Sequence, residues 1–165
     1  MQNESFETYQ TFAVDGVDYF RTDNGVLYSL DFIQQPFFDR EDYSFADITF
    51  EAQLVIESNN RNPPLDPKVG MTVVALTRVF LGDRNKILFF SCDTADGRQL
   101  ARFRKFKTWF ALYVGDDYLK LDDQLAMPGT NKEFLFTLLI SKHNPNAEAV
   151  IQAVFDLTAE IRSQK

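Results

Sequence analysis

Cysteine and histidine are nearly missing from this chain: Cys92 and His143 stand alone among 165 residues. A single cysteine rules out an internal disulfide and fits a reducing compartment. No H-x-x-x-H, C-x-x-C or D-x-D-x-D spacing occurs, so the usual sequence signatures of a metal site are missing. Glycine is sparse as well, and neither G-x-G-x-x-G nor G-x-x-x-x-G-K-[ST] is present, which removes the main sequence support for a nucleotide fold. No apolar run approaches the ~18 residues of a membrane-spanning helix. The opening residues, MQNESFETYQ, have neither the basic region nor the apolar core of a signal peptide. Together these absences predict a soluble, cytoplasmic protein that needs no cofactor, metal or disulfide to fold.

Apolar and aromatic residues are abundant. The hydrophobic fraction is 45%, and 17 phenylalanines, six tyrosines and one tryptophan argue for a heavy aromatic core rather than disorder. At this length the chain fits one domain, residues 1–165, able to bury roughly two-thirds of the surface its unfolded form exposes. The net charge of −7 opposes nucleic acid as a partner, because phosphate neutralisation by Lys and Arg dominates that affinity.

Against this acidic background residues 93–114, DTADGRQLARFRKFKTWFALYV, concentrate positive charge. Arg98, Arg102, Arg104, Lys105 and Lys107 are five cations with no acid between Gly97 and Gly115, which leaves twelve net negative charges on the rest of the chain. The stretch reads as a helix, with Asp96 as N-cap, Gln99 at the third position of a capping-box-like arrangement and Gly115 as the stop. At 100° per residue Leu100, Phe103, Phe106, Trp109, Phe110, Tyr113 and Val114 share a core-facing arc, and Arg104, Lys105 and Thr108 lie opposite on a solvated face. Arg102 projects between Trp109 and Tyr113, with Arg98 one turn earlier on the same edge. Two guanidiniums beside an indole suit an anion or a planar acidic ligand. Arg98, Arg102 and Trp109 are therefore the candidate ligand-binding residues.

The remaining pattern is that of a mixed sheet. Asp15-Gly16 and Asp23-Asn24-Gly25 punctuate alternating apolar residues up to Phe32, the pattern of a three-stranded antiparallel meander. Residues 37–45 form an aromatic and acidic loop, expected to pack over the sheet, with a partner-binding patch as the alternative. Residues 47–57 alternate as a strand with Ile48, Phe50, Ala52, Leu54 and Ile56 on one face. Asp66-Pro67 opens a helix to Leu81, residues 87–91 form a central strand, and two further strands are expected at 118–121 and 134–140. Asn144-Pro145 opens a last amphipathic helix carrying Val150, Ile151, Val154, Leu157 and Ile161. The fold class is α+β, a mixed sheet with three helices on at least one face.

Other chemical signals are weaker. Cys92 lies between a strand end and a basic helix, a setting that lowers a thiol pKa, but a small buried hydrophobe is the simpler reading. His143 has no sequence partner for catalysis, and Asp116, Asp117, Asp122 and Asp123 read as a solvated acidic loop.

Asp96-Gly97-Arg98, Ala101-Arg102, Phe106 and Trp109-Phe110 resemble the signature of a functionally uncharacterised family of small bacterial proteins. That resemblance supplies no catalytic residues. From Asp47 onward the order strand, helix, strand, helix, strand, strand is also similar to the C-terminal two-thirds of the acyl-CoA-dependent N-acetyltransferase superfamily. The resemblance implies acyl-CoA in a cleft between the strands starting at Asp47 and Ile87. The superfamily's [RQ]-x-x-G-x-[GA] motif should then fall between Ile56 and Val74; Arg61-Asn62-Pro63-Pro64-Leu65 contains no glycine and Gly70 stands alone. The leading expectation is a binding or interaction protein that recognises an acidic small molecule or protein, and the alternative is a degenerate or divergent acyl-CoA-dependent N-acyltransferase.

Overall fold

The computed structural model describes residues 7–34, 40–59, 62–91, 97–126, 129–131 and 133–164. Three antiparallel strands open the chain: β1 (Thr11–Val14), β2 (Val17–Arg21) and β3 (Leu27–Gln34). The first turn is Asp15-Gly16, both with positive φ, the geometry whose twist matches a two-residue hairpin. A short 3₁₀ turn, Ala46–Ile48, leads into β4 (Thr49–Ile56), which pairs antiparallel with β3.

Helix α1 (Pro67–Phe80) then connects β4 to its parallel neighbour β5 (Ile87–Ser91). Although rich in β-branched residues, α1 is helical because Asp66 caps it, Pro67 is preset for the first turn, and Val69, Val73 and Val74 find the core. Its buried threonine hydroxyls are satisfied within the helix: Thr72 Oγ1 donates to the Lys68 carbonyl at 2.7 Å and Thr77 Oγ1 to the Val73 carbonyl at 2.8 Å. Helix α2 (Gln99–Tyr113), strands β6 (Tyr118–Ala126) and β7 (Glu133–Ser141), and helix α3 (Ala147–Ser163) complete the chain.

The seven strands form one sheet in the order β1-β2-β3-β4-β5-β7-β6. Successive residues of β5 point to opposite sides, and both sides are covered. Leu88 and Phe90 enter a core roofed by α1 and α2, whereas Ile87 and Phe89 enter a second core under α3, shared with Phe45 and half-buried Tyr43. This explains the uninterrupted apolar run of that strand. Helices thus cover both faces of the sheet, and the packing expected for the aromatic loop is realised by Tyr43 and Phe45. Phe37 and Phe38 lie outside the described residues.

Four expectations are corrected. Strand β6 extends to Ala126 because it pairs with β7 along its whole length, so Asp122 and Asp123 are strand residues rather than a solvated loop. Asp122 accepts from Thr137 Oγ1 at 2.6 Å and pairs with Lys120, and Asp123 pairs with Arg162 of α3 at 2.8 Å. Helix α2 has Arg98 as its N-cap residue and Gln99 as its first helical residue, with no side-chain cap; Asp96 lies outside the described residues. Leu100, in the first turn of α2, is 39% exposed instead of core-facing. Finally, α3 starts after the Asn144-Pro145-Asn146 turn, which closes on itself when the Asn146 N–H donates to Asn144 Oδ1 at 2.7 Å.

Candidate functional site

Strands β4 and β5 are the parallel pair of the sheet among the described residues, and their ladder is short. It joins Thr49 to Ile87, Phe50 to Leu88 and Glu51 to Phe89, then stops while both strands continue. Phe90 and Ser91 pair only with β7, and residues 52–56 only with β3. The ladder therefore ends at the carboxyl-terminal side of two parallel strands, the position at which open sheets with helical crossovers characteristically receive ligands. On the α3 side, Ser91 Oγ donates to Glu51 Oε1 at the point of divergence, and Gln53 Nε2 donates to the other carboxylate oxygen at 3.4 Å. Neither Glu51 nor Ser91 drew attention in the sequence, because partners 40 residues apart become neighbours only through the parallel register.

The two helices that follow these strands begin differently. At the start of α1, Asp66 Oδ1 accepts from the Lys68 N–H at 3.0 Å, while Oδ2 accepts from Tyr9 Oη at 2.6 Å. The positive end of α1 is thus already met by a carboxylate. Tyr9 is held from several directions: its N–H donates to Thr72 Oγ1 at 2.9 Å, its ring stacks on Phe20, and Lys68 Nζ lies 4.6 Å above it. Burial, and then donation to Asp66, push the Tyr9 phenol up to about 12 from its ordinary 10.0. Burial, with the Asp66 charge nearby, also raises Tyr28.

These shifts make stability fall at alkaline pH. The folded state retains its phenolic protons where the unfolded chain has lost them, so this contribution is full below pH 10 and is lost as pH rises towards 12. Denaturant titrations across that window should show falling stability, with a shallower fall in Tyr9→Phe. An unchanged slope in the variant would remove Tyr9 from the cause.

Among the described residues, the start of α2 carries no acidic residue in its first turn and no side-chain cap. Arg98 is exposed there, and its carbonyl accepts from the Arg102 N–H at 3.1 Å, which places half-buried Arg102 one turn along. Trp109 lies two turns further on and is only 6% exposed. Its indole meets Phe106 edge-on at 5.7 Å between centroids and rests against Gly70 of α1. The cation above the ring is Lys105, with Nζ 4.8 Å from the centroid. Lys105 is consequently half-buried and not the solvated residue expected from the helical wheel. Residues four apart on a helix share an edge, and that neighbour relation decides its position. Burial lowers the Lys105 amine below the usual lysine range, outweighing the Asp66 carboxylate, which acts the other way.

The other single-residue candidates stand apart. His143 is exposed, with its backbone N–H donating to Ser141 Oγ at 3.1 Å, and Cys92 lies outside the described residues. Among the described residues, no helix is long and apolar enough to cross a membrane.

Comparison with known proteins adds a family and one structural likeness. No curated protein matches the sequence. A solved structure, described as that of a CoA-dependent acyl-homoserine lactone synthase, MesI, is similar with a TM-score of 0.34 and 15% identity. The likeness covers 78% of this chain and 64% of that one, so the chain spans less than two thirds of that protein's length. Residues 65–156 match the model of DUF6169, a family of unknown function, over the stretch from α1 into α3 that holds Arg98, Arg102 and Trp109. That match takes in more than half of the sequence, and the chain belongs to this family of unknown function.

Proposed function

We propose that the protein binds an acidic ligand at the carboxyl ends of β4 and β5, through the edge of α2 that carries Arg98 and Arg102. The observation that carries this reading is the contrast between the two helix starts beside the divergent strands. Asp66 meets the positive end of α1, where a second negative group would be repelled; the first turn of α2 has no acid and is flanked by two guanidiniums. Trp109 is a positioning residue in this account: its buried indole fixes α2 against α1 and thereby sets where the two arginines stand.

A second reading is a divergent acyl-CoA-dependent N-acyltransferase. It is favoured by the element order from β4 onward and by the divergence of β4 from β5, where a thioester would enter. Asp66 weighs against it, since the pyrophosphate of such a cofactor would face that carboxylate.

Calorimetric titration with acetyl-CoA and, separately, with inorganic pyrophosphate tests both readings. Binding of either anion should weaken by tenfold or more in Arg98→Ala/Arg102→Ala, with the fold intact by circular dichroism. Failure of the double variant to fold would make the pair structural and end the first reading. Absence of heat with acetyl-CoA at millimolar concentration would leave the second without support.

A further inference from the structure

The water-facing side of an antiparallel sheet is ordinarily polar, because alternation sends one set of side chains to the core and the other to solvent. The α3 side of this sheet departs from that rule in its N-terminal half. Glu51 lies beside Phe89, which enters the core under α3, so Val55, four residues along β4, points to the same side. The register carries that side across the meander: Val55 is beside Ser29, Ser29 beside Tyr19, and Tyr19 beside Phe12. Val14 and Val17 form the next pair. Among the described residues, the core under α3 takes no side chain from β1, β2 or β3. Phe12, Val14 and Val55 are accordingly 52, 50 and 46% exposed, while Val17 and Tyr19 are half-buried, with Tyr19 stacked on Phe12 at 5.5 Å between centroids. An apolar strip of this kind marks an interaction surface.

The strip has an acidic border. Asp31, Glu51 and Glu57 share this side of the sheet with one cation, Arg21, whose Nη1 donates to the Gly25 carbonyl at 3.0 Å. Glu51 and Glu57 accept from Ser91 Oγ and Ser29 Oγ, and among the described residues Asp31 has no cation within ion-pair distance. Two copies of the chain packed face to face would press these carboxylates together, whereas a basic partner would neutralise them. Width selects the shape of that partner. Four strands at ~4.8 Å spacing are roughly 14 Å across, room for one helix of ~10–12 Å diameter. Helix α3, seventeen residues long, already lies on this side over the adjoining strands.

We propose that the α3 side of β1 to β4 docks an amphipathic helix of a partner protein, its apolar stripe on Phe12, Tyr19 and Val55 and its basic flank towards Asp31. Helices α1 and α2 lie on the other side of the sheet, so this surface is separate from the anion site at the start of α2.

The test uses the full chain and two synthetic helical peptides of about 18 residues, ~27 Å long, with the same leucine stripe. Lysines flank the stripe in one peptide and glutamates in the other. Fluorescence anisotropy of the labelled peptides should show the lysine peptide binding about tenfold or more tighter than the glutamate peptide. Its affinity should fall about tenfold or more in Phe12→Ser/Val55→Thr and about threefold or more in Asp31→Lys. The Asp31→Lys variant keeps the test decisive if the double variant does not fold. No saturable binding of the lysine peptide, or binding that ignores the substitutions, would overturn the proposal. A dimer in sedimentation that Phe12→Ser/Val55→Thr dissolves would also overturn it, by assigning the face to a second copy of the chain.

Discussion

Gly70→Ala should destabilise the protein by roughly 1–2 kcal/mol, although alanine is the better helix former by about 1 kcal/mol. A Cβ on Gly70 would stand 2.3 Å from both Cδ1 and Nε1 of Trp109 and 2.7 Å from Cε2. These atoms belong to a rigid ring that is 6% exposed and also packed on Phe106, so relief requires the whole indole, and α2 with it, to move. Overpacking of this kind costs typically 1–3 kcal/mol or more, which exceeds the propensity gain. Trp109 is the chain's single tryptophan, so its emission should shift to the red in the same variant. A double-mutant cycle isolates the cause: in a Trp109→Ala background the clash is gone, and Gly70→Ala should become neutral or stabilising. Gly70→Ala that raises stability in the wild-type background would mean that the indole does not press on α1.

Phe110→Ala should cost more, about 3–5 kcal/mol, a large share of the stability of a domain this size. Phe110 is fully buried and its ring centroid lies 4.8 Å from that of Phe90, which also meets Phe106 at 5.1 Å. The three rings join α2 to the central strand β5. Removal of one leaves a cavity whose walls are a strand and a helix fixed by other contacts, so little collapse can compensate. Leu112→Ala, two residues along and 63% exposed, should change stability by no more than about 0.5 kcal/mol. Equal effects at the two positions would show that α2 presents a different face to the sheet.

The local rules of the sequence carried far in the fold. Asp15-Gly16 specified its hairpin, because both residues tolerate the positive φ that the turn demands, and β5 announced itself by four consecutive apolar residues, Ile87 to Phe90. Asp66-Pro67 marked the start of α1 to the residue. Where the reading failed, a non-local contact decided. The polar strand residues Asp122 and Asp123 looked like loop because their partners, Thr137 and Arg162, lie 15 and 39 residues away. The helical wheel sorted Lys105 with the solvent because it ignored the indole one turn on, which a long aliphatic side chain covers readily.

The site was legible only in part. The run Asp96-Gly97-Arg98 to Trp109-Phe110, which suggested an uncharacterised family, lies inside the family match. Sequence alone did not place Trp109 against Gly70, nor show that Asp66 would serve at once as the α1 cap and the acceptor for Tyr9. Each of those depends on α1, α2 and the residues before β1 meeting on one face of the sheet.

The most direct test of the account is a backbone amide chemical-shift titration of the full chain with inorganic pyrophosphate. Saturable shifts at Arg98, Gln99 and Arg102, with Lys68, Val69 and Gly70 unmoved, are what an anion site at the start of α2 predicts. Shifts centred on Lys68 to Gly70, or no saturable shift on α2, would contradict it.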